Sequence, residues 1–518
     1  MKKIFTGIIA LLFLVSVAIA QQALSEDVAF RVKREAFQNS QMGALAFYFT
    51  DYAGPRLASS KRWERTETLT KEKLEEMGFS NVRIEYAADF PRGGWDNYKT
   101  YAAMTVPYYS NFIALPRAWS GSTNGVVSGE VILLDVRTQE DIANYRGKLN
   151  NRIVLMPETQ RYEMQFNPLA TRYTDEELQQ LAADPRPNAP VSRTPAQAAA
   201  LSLSNTTATQ LQQSIRALLA EEQPAVIIHG SGNFNVPRTS SLQHRHGEPE
   251  PIAELNITIE DHGRMVRLIN QNVAVSMEVE IKNEFHNNQV INNIIAEIPG
   301  TDPRLRDEIV MIGAHLDSWH GGTGAADNAS GCIVMIEALR IIKEIGVRPR
   351  RTIRLALWGG EELGLIGSRG YMQNNLYDAA ANRPRPGYEQ FAIYLNMDNG
   401  SGKFRGIYLE ENDMAFPFFR EWIKPMETIG FGVLSPRRTG STDHVTFDRI
   451  GLPAFQFIQD DLEYWRSYHS VMDTYERLIM TDLQYNAAVV AILALSAAMD
   501  NGKIPPKPLP ANFSIQQR

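Results

Sequence analysis

The chain is predicted to fold as an α/β domain, a mixed sheet with a mostly parallel core flanked by helices, with a second, β-rich domain inserted into it. Three observations carry this. First, the stretch from Ile309 to Glu362 reads as strand, helix, strand. Two short β-branched apolar runs, Ile309 to Ile312 and Ile353 to Trp358, enclose a run with helical spacing, Ile333 to Ile345, closed by Gly346. Such a unit builds a parallel sheet. Second, the alternation resumes after Glu362, with strand-like runs at Phe391 to Asn396 and Ala454 to Ile458. Third, between about residues 119 and 276 the chain changes character, to short apolar runs separated by Gly and Asn turns.

In chain order, residues 1–20 hold Lys2 and Lys3, an apolar run from Ile4 to Val17, and Ala18-Ile19-Ala20. That is the charged region, apolar region and cleavage site of a signal peptide, so the mature chain is expected to begin near Gln21 and to be exported, secreted or periplasmic. The run is short for a membrane span of about 20 residues, and no later segment is read as long and apolar enough to span one. Residues 21–118 open the main domain, with amphipathic helices over 27–50 and 59–77 joined by the turn Ala53-Gly54-Pro55-Arg56, then a strand near Val82 to Tyr86. The inserted domain, 119–276, carries strands within 126–135, 145–156 and 225–232, and helical spacing in Glu176 to Ala183 and Ala208 to Glu221. Residues 277–500 complete the main domain: strand pattern returns at 291–298, and an Ala-rich helix covers Tyr485 to Met499. A Pro-rich tail, 501–518, cannot extend that helix.

At 518 residues and 44% hydrophobic, the chain can bury more than one core. Its formal charge is −7, or −9 once Lys2 and Lys3 are removed (50 basic against 59 acidic residues). No nucleic-acid partner is expected, since that would call for a basic surface. Cys332 is the only cysteine, so no internal disulfide can form, and it is expected to be buried packing.

In open parallel sheets the ligand crevice lies beyond the carboxyl ends of the strands. The predicted strand ends deliver His315, Asp327, Glu361, Glu362, Asp398 and His469 to such a crevice. Imidazoles with carboxylates suit zinc, and an uneven set of carboxylates shared by two imidazoles suits two metals with one bridging carboxylate. Adjacent Glu361 and Glu362 permit one to bind metal while the other handles protons. Asp317, two residues after His315, is placed to orient the imidazole from outside the metal's own ligands. His320, in Gly-flanked loop sequence, is expected to be solvated. The segment GSTDH, 440–444, holds Ser441, Asp443 and His444, but adjacency in sequence does not make a serine triad, and a pocket wall or turn is the reading adopted. Arg437 and Arg438 just before it form a charge patch that could meet a substrate carboxylate. These two, with Asp443 and His444, are the candidate substrate-binding residues.

The motifs HLDSW, GAADNASG, LWGGEELGLIGS, NMD and YHSVMDT resemble those of the co-catalytic zinc exopeptidases of clan MH, and within them the carboxypeptidase Q branch. The resemblance spans nearly the whole mature chain, including the GPR turn and a YRGK segment in what would be an inserted protease-associated domain. It implies the zinc exopeptidase fold and two zinc ions per subunit. His315 and Asp398 would bind one ion, Glu362 and His469 the other, with Asp327 bridging and Glu361 as general base. It also implies a cis peptide bond between Asp327 and Asn328. Where relatives often carry an acidic residue after SW, this chain has His320. The implied activity is hydrolysis of short peptides or dipeptides by zinc-activated water, from the carboxyl end, the amino end or only as dipeptides. A homodimer is compatible with it. Rival readings on the same fold are an acyltransferase of the glutaminyl cyclase type and a non-catalytic peptide-binding protein like the transferrin receptor. Residues 119–276 are expected to shape or cover access to the site without doing chemistry.

Overall fold

Strands that read as unbroken apolar runs belong in a sheet covered on both faces, and the computed structural model places them there. Eight strands form the first sheet: β1 (Ser80–Asp89), β2 (Val290–Ile298), β3 (Ile309–His315), β4 (Thr352–Trp358), β5 (Phe391–Asn396), β6 (Phe404–Tyr408), β7 (Val433–Ser435) and β8 (Ala454–Gln459). Their spatial order is β1-β2-β4-β3-β5-β8-β6-β7. Pairing is parallel from β4 through β3 and β5 to β8, and antiparallel where β1, β2 and β6 flank that core. Gly313 lies where an added Cβ would sit 2.3 Å from the Ala356 carbonyl oxygen, so the close β3–β4 approach requires glycine there. The structure describes residues 24–157, 162–183, 195–232 and 236–509, so the expected signal segment and the last residues of the tail lie outside it.

Of the long helices in this lobe, α1 (Glu26–Gln38), α2 (Lys61–Glu76), α3 (Ser330–Glu344) and α4 (Met480–Met499), the last three pack on the sheet and α1 packs outside α3 and α4; the short helices Ile366–Tyr371 and His444–Asp448 also lie against the sheet. Serines cap α1 and α2, Ser25 Oγ accepting from the Val28 N–H and Ser60 Oγ from the Trp63 N–H. The first helix is not continuous over 27–50. Ser40 Oγ takes the Met42 N–H, breaking the chain between α1 and a short helix at Met42–Phe47. α4 is long and apolar enough to cross a membrane, yet it is a core helix, packed against α1 and α3 and buried along nearly its whole length. The tail after it lies back on the molecule, Lys507 N–H donating to the Gly451 carbonyl.

The second sheet also has eight strands, in the order Ser110–Asn111, Gly94–Val106, Ser276–His286, Val127–Leu133, Ile153–Leu155, Val226–Gly230, Glu254–Ile257, Ala114–Pro116. It interrupts the first sheet in sequence, because β1 precedes it and β2 follows it. The second lobe is therefore wider than the expected interval 119–276, beginning at Gly94 and ending at His286. Its two longest strands pair with each other from Gly94↔His286 to Val106↔Ser276. The alternation of buried Met277, Val279 and Ile281 with charged neighbours is the local signal that marks one of them. Gly94–Val106 has no such alternation and owes its conformation to its partner. The lobes meet over a cluster of Leu57, Phe90, Trp95, Trp119 and Ile291, where both indole N–H groups find carbonyls, Trp95 at Ser120 and Trp119 at Gly93.

Candidate metal centre

β3 ends at His315, the turn after β4 carries Glu361 and Glu362, β5 is followed by Asp398, and the loop after β8 carries His469. Because these strands are parallel neighbours, all the loops open at one edge of the sheet. Asp327 joins them from the loop before α3, where Asp327 and Asn328 leave helical geometry and the bond between them is cis, as the family resemblance implies. The Asn328 side chain secures this turn, donating to the Met397 carbonyl (2.9 Å) and accepting from the Gly331 N–H (3.1 Å).

Two ligand sets result. One donor atom from each of His315, Asp327 and Asp398 lies within 4.8 Å of the others, and the same holds for Asp327, Glu362 and His469. Asp327 belongs to both. Its Oδ1 is 3.2 Å from His315 Nε2, and its Oδ2 is 3.3 Å from His469 Nε2. His315 Nδ1 lies 3.0 Å from the Asp317 carbonyl oxygen, which can only accept. Nδ1 therefore carries a proton, which leaves Nε2 as the ring nitrogen that faces the carboxylates. Asp317 thus orients the imidazole chiefly through its backbone. Its carboxylate accepts the N–H groups of Glu361 (3.0 Å) and Glu362 (3.4 Å), tying the first ligand loop to the second.

The donor set fits metal ions. Among the described residues, buried His315 Nε2, Asp327 Oδ2 and Glu362 Oε1 make no aligned hydrogen bond, although polar atoms crowd around them. Buried donor atoms gathered this closely without aligned hydrogen bonds are what a cation can satisfy. Four carboxylates, Asp327, Glu361, Glu362 and Asp398, also surround only two imidazoles, so ionising all four in this buried site calls for positive charge beyond what the imidazoles can supply. Burial, opposed by His315 and reinforced by Asp398, Asp443 and Glu362, pushes the Glu361 carboxyl well above the usual carboxylate range. Glu361 stands in neither ligand set. A small cleft lined by Trp319, Gly322, Asp327, Glu362 and His469 opens at the second set.

Two buried residues that sequence reading leaves without a role hold the ligand loops. The Arg56 guanidinium donates to the carbonyls of Leu316 (2.6 Å), Phe49 (3.0 Å), Thr323 (2.5 Å) and Gly324 (2.9 Å), tying the loop after His315 to the turn before Asp327. Asp473 accepts the N–H groups of Ala326 (2.6 Å) and Asp327 (3.0 Å). Their signals were the GPR turn and the Asp of YHSVMDT. Cys332 is buried as expected, its Sγ 3.0 Å from the His315 carbonyl oxygen.

Other candidates fall elsewhere. His320 is neither a ligand nor solvated. It is half-buried between the lobes, its Nε2 2.8 Å from the Pro116 carbonyl oxygen and its ring edge-on to Trp95, and burial lowers its pKa to about 4. Asp443 and His444 are wholly buried, so they present no surface to a substrate. His444 Nε2 faces Glu410 at 3.3 Å. Their neighbour Thr442 accepts from Asn396, which bonds Gln456, which in turn donates to the Asp398 carbonyl, so this segment supports the site from below. Arg438 pairs with Asp448 at 3.2 Å. Arg437 is half-buried beside it, its backbone carbonyl accepting from the Glu410 N–H.

The model of peptidase family M28 matches residues 293–494. Carboxypeptidase Q of Mus musculus is 24% identical over 480 residues, covering 91% of this chain and 89% of that protein. Among solved structures, a peptidase M28 precursor from Shewanella amazonensis SB2B has a TM-score of 0.66 at 25% identity, over 94% of this chain and 99% of that one. BSAP, a zinc aminopeptidase from Bacillus subtilis, is similar in fold, with a TM-score of 0.53 at 19% identity over 93% and 96%.

Proposed function

We propose that this zinc metallopeptidase, whose residues 293–494 match the model of peptidase family M28, is an exported two-zinc exopeptidase acting on dipeptides and other short peptides. The observation that carries the reading is the pair of ligand sets sharing Asp327. His315, Asp398 and Asp327 would hold one zinc, and Glu362, His469 and Asp327 the other. Bound there, the zinc pair supplies Lewis acidity, which lowers the pKa of a water and polarises a scissile carbonyl. The chain's own residues do the rest. Glu361, close to both sets but in neither, takes the proton from the attacking water at its carboxylate and hands it to the leaving amine. Asp317 fixes the backbone of Glu361 and Glu362, while Arg56 and Asp473 hold the loops bearing His315 and Asp327. Water is the nucleophile, so Ser441 has no acyl-enzyme role, and His444 facing Glu410 accords with that.

Likeness over about nine-tenths of carboxypeptidase Q supports a carboxypeptidase or dipeptidase, with an aminopeptidase as the alternative within the family. A non-catalytic peptide-binding protein is the reading from another class, and the complete set of His315, Asp327, Glu361, Glu362, Asp398 and His469 argues against it. Zinc analysis of the purified chain, together with hydrolysis assays on dipeptides free or blocked at either end, tests the reading. Two zinc ions, loss of hydrolysis on chelation, and cleavage that survives blocking of only one end are expected. A chain that binds zinc but hydrolyses none of these substrates would point to the binding protein.

A further inference from the structure

The loop that carries His469 is gripped at both ends by the second lobe. At its far end Thr171 pairs with Leu462 through two backbone hydrogen bonds (3.0 and 2.8 Å). Arg172 reaches across to Asp460 (2.8 Å) and Asp482 (2.7 Å), and the Tyr173 N–H donates to Asp460 (3.0 Å). At its near end Arg238 bridges Ser470 and donates to the Trp465 carbonyl. Thr239 gives both its N–H (2.7 Å) and its hydroxyl (3.1 Å) to the carbonyl oxygen of His469 itself.

These contacts matter because His469 has φ +53°. A residue with a Cβ holds that left-handed conformation only where its surroundings impose it. Within the second lobe the gripping segment is itself pinned. Asn256 donates to the Arg238 carbonyl (2.8 Å) and to Ser240 (3.0 Å), and Arg117, paired with Glu254 (2.7 Å), donates to Ser240 (3.0 Å). The other ligands are held inside the first lobe, His315 and Asp327 by Asp317, Arg56 and Asp473, Glu362 by Asp317, and Asp398 by Gln456.

We infer that the second lobe is a working part of the metal centre, with Thr239 as the positioning residue that sets His469 for the second metal. The inference rests on the two-zinc reading and adds a selective consequence. Loosening the grip should weaken the ion held by Asp327, Glu362 and His469 and leave the ion held by His315, Asp327 and Asp398 in place.

The test uses the full zinc-loaded chain as wild type, Thr239→Val, Thr239→Ser and Arg172→Met. Zinc retained per chain is measured across a series of chelator concentrations, with circular dichroism to confirm folding. The wild type should release its two ions in two steps. In Thr239→Val one step should move to chelator concentrations about tenfold lower while the other stays, as expected when a partner that orients a metal ligand is lost. Thr239→Ser should restore the wild-type curve, and Arg172→Met should shift the same single step. A folded Thr239→Val and a folded Arg172→Met that both release zinc as the wild type does, or that both lose the two ions together, overturn the inference alone. A wild-type chain that takes up fewer than two ions overturns the two-zinc reading and this inference with it.

Discussion

Glu361 and Glu362 are adjacent in sequence but differ in what faces them. Glu362 Oε2 lies 2.8 Å from His469 Nε2 within a ligand set, whereas Glu361 belongs to no such set. Glu361→Gln should therefore keep its zinc and lose on the order of 10²- to 10⁴-fold in kcat, the usual worth of a general base. Glu362→Gln should release zinc more readily, and equal zinc retention in the two variants would contradict the division of labour. His320 makes a second prediction. Its pKa near 4 in the folded chain lies below the ordinary 6.5, so the folded state refuses a proton that the unfolded state accepts. The stability this confers is complete above pH 6.5 and is lost as the pH falls toward 4, by about 2 kcal/mol between pH 7 and 5. Urea unfolding of wild type and His320→Gln at those two pH values should show the wild type faring worse than the variant at pH 5, relative to pH 7, by about 2 kcal/mol.

At the scale of elements, the site exists because parallel strands end together. Each ligand needs only a strand before it and a short loop after it, which is why β3, β4, β5 and β8 could be matched to His315, Glu361, Glu362, Asp398 and His469 from apolar runs alone. The loops themselves need further support. Arg56 supplies it by donating to five backbone carbonyls, those of Phe49, Gly54, Leu316, Thr323 and Gly324. Replacing it with Met leaves those buried acceptors unpaired, beside the acidic Asp473 and Asp317 that the guanidinium faces. Arg56→Met should cost about 3 to 5 kcal/mol of stability in denaturant unfolding, with weaker zinc binding in whatever remains folded. Unchanged unfolding would show that water can replace the guanidinium there.

At the scale of the molecule, the second lobe stands against the loop that bears His469. A wall on one side of a crevice limits the length of chain that can lie across it. Dipeptides and short peptides should accordingly be cleaved much faster than long unstructured polypeptides, one terminal unit at a time. Rapid internal cleavage of an end-blocked polypeptide by the pure enzyme would sink the exopeptidase reading. Chelation should abolish hydrolysis of every substrate, and readdition of zinc should restore it.

The sequence by itself predicted the strands of the parallel core, a crevice at their carboxyl ends and His315, Asp327, Glu361, Glu362, Asp398 and His469 as the residues around it. It could do so because these follow from local periodicity and from a topological rule that does not depend on distant contacts. Tertiary structure alone decided where His320 lies, how Asp443 and His444 are buried, and that the second lobe reaches from Gly94 to His286. It also decided the roles of Arg56, Asp473 and Thr239. Each acts on backbone atoms far away in the chain, Arg56 on Gly324, Asp473 on Asp327 and Thr239 on His469. A hydrogen bond to a remote carbonyl or N–H leaves no periodic trace in the residues that make it, so only the folded chain reveals it.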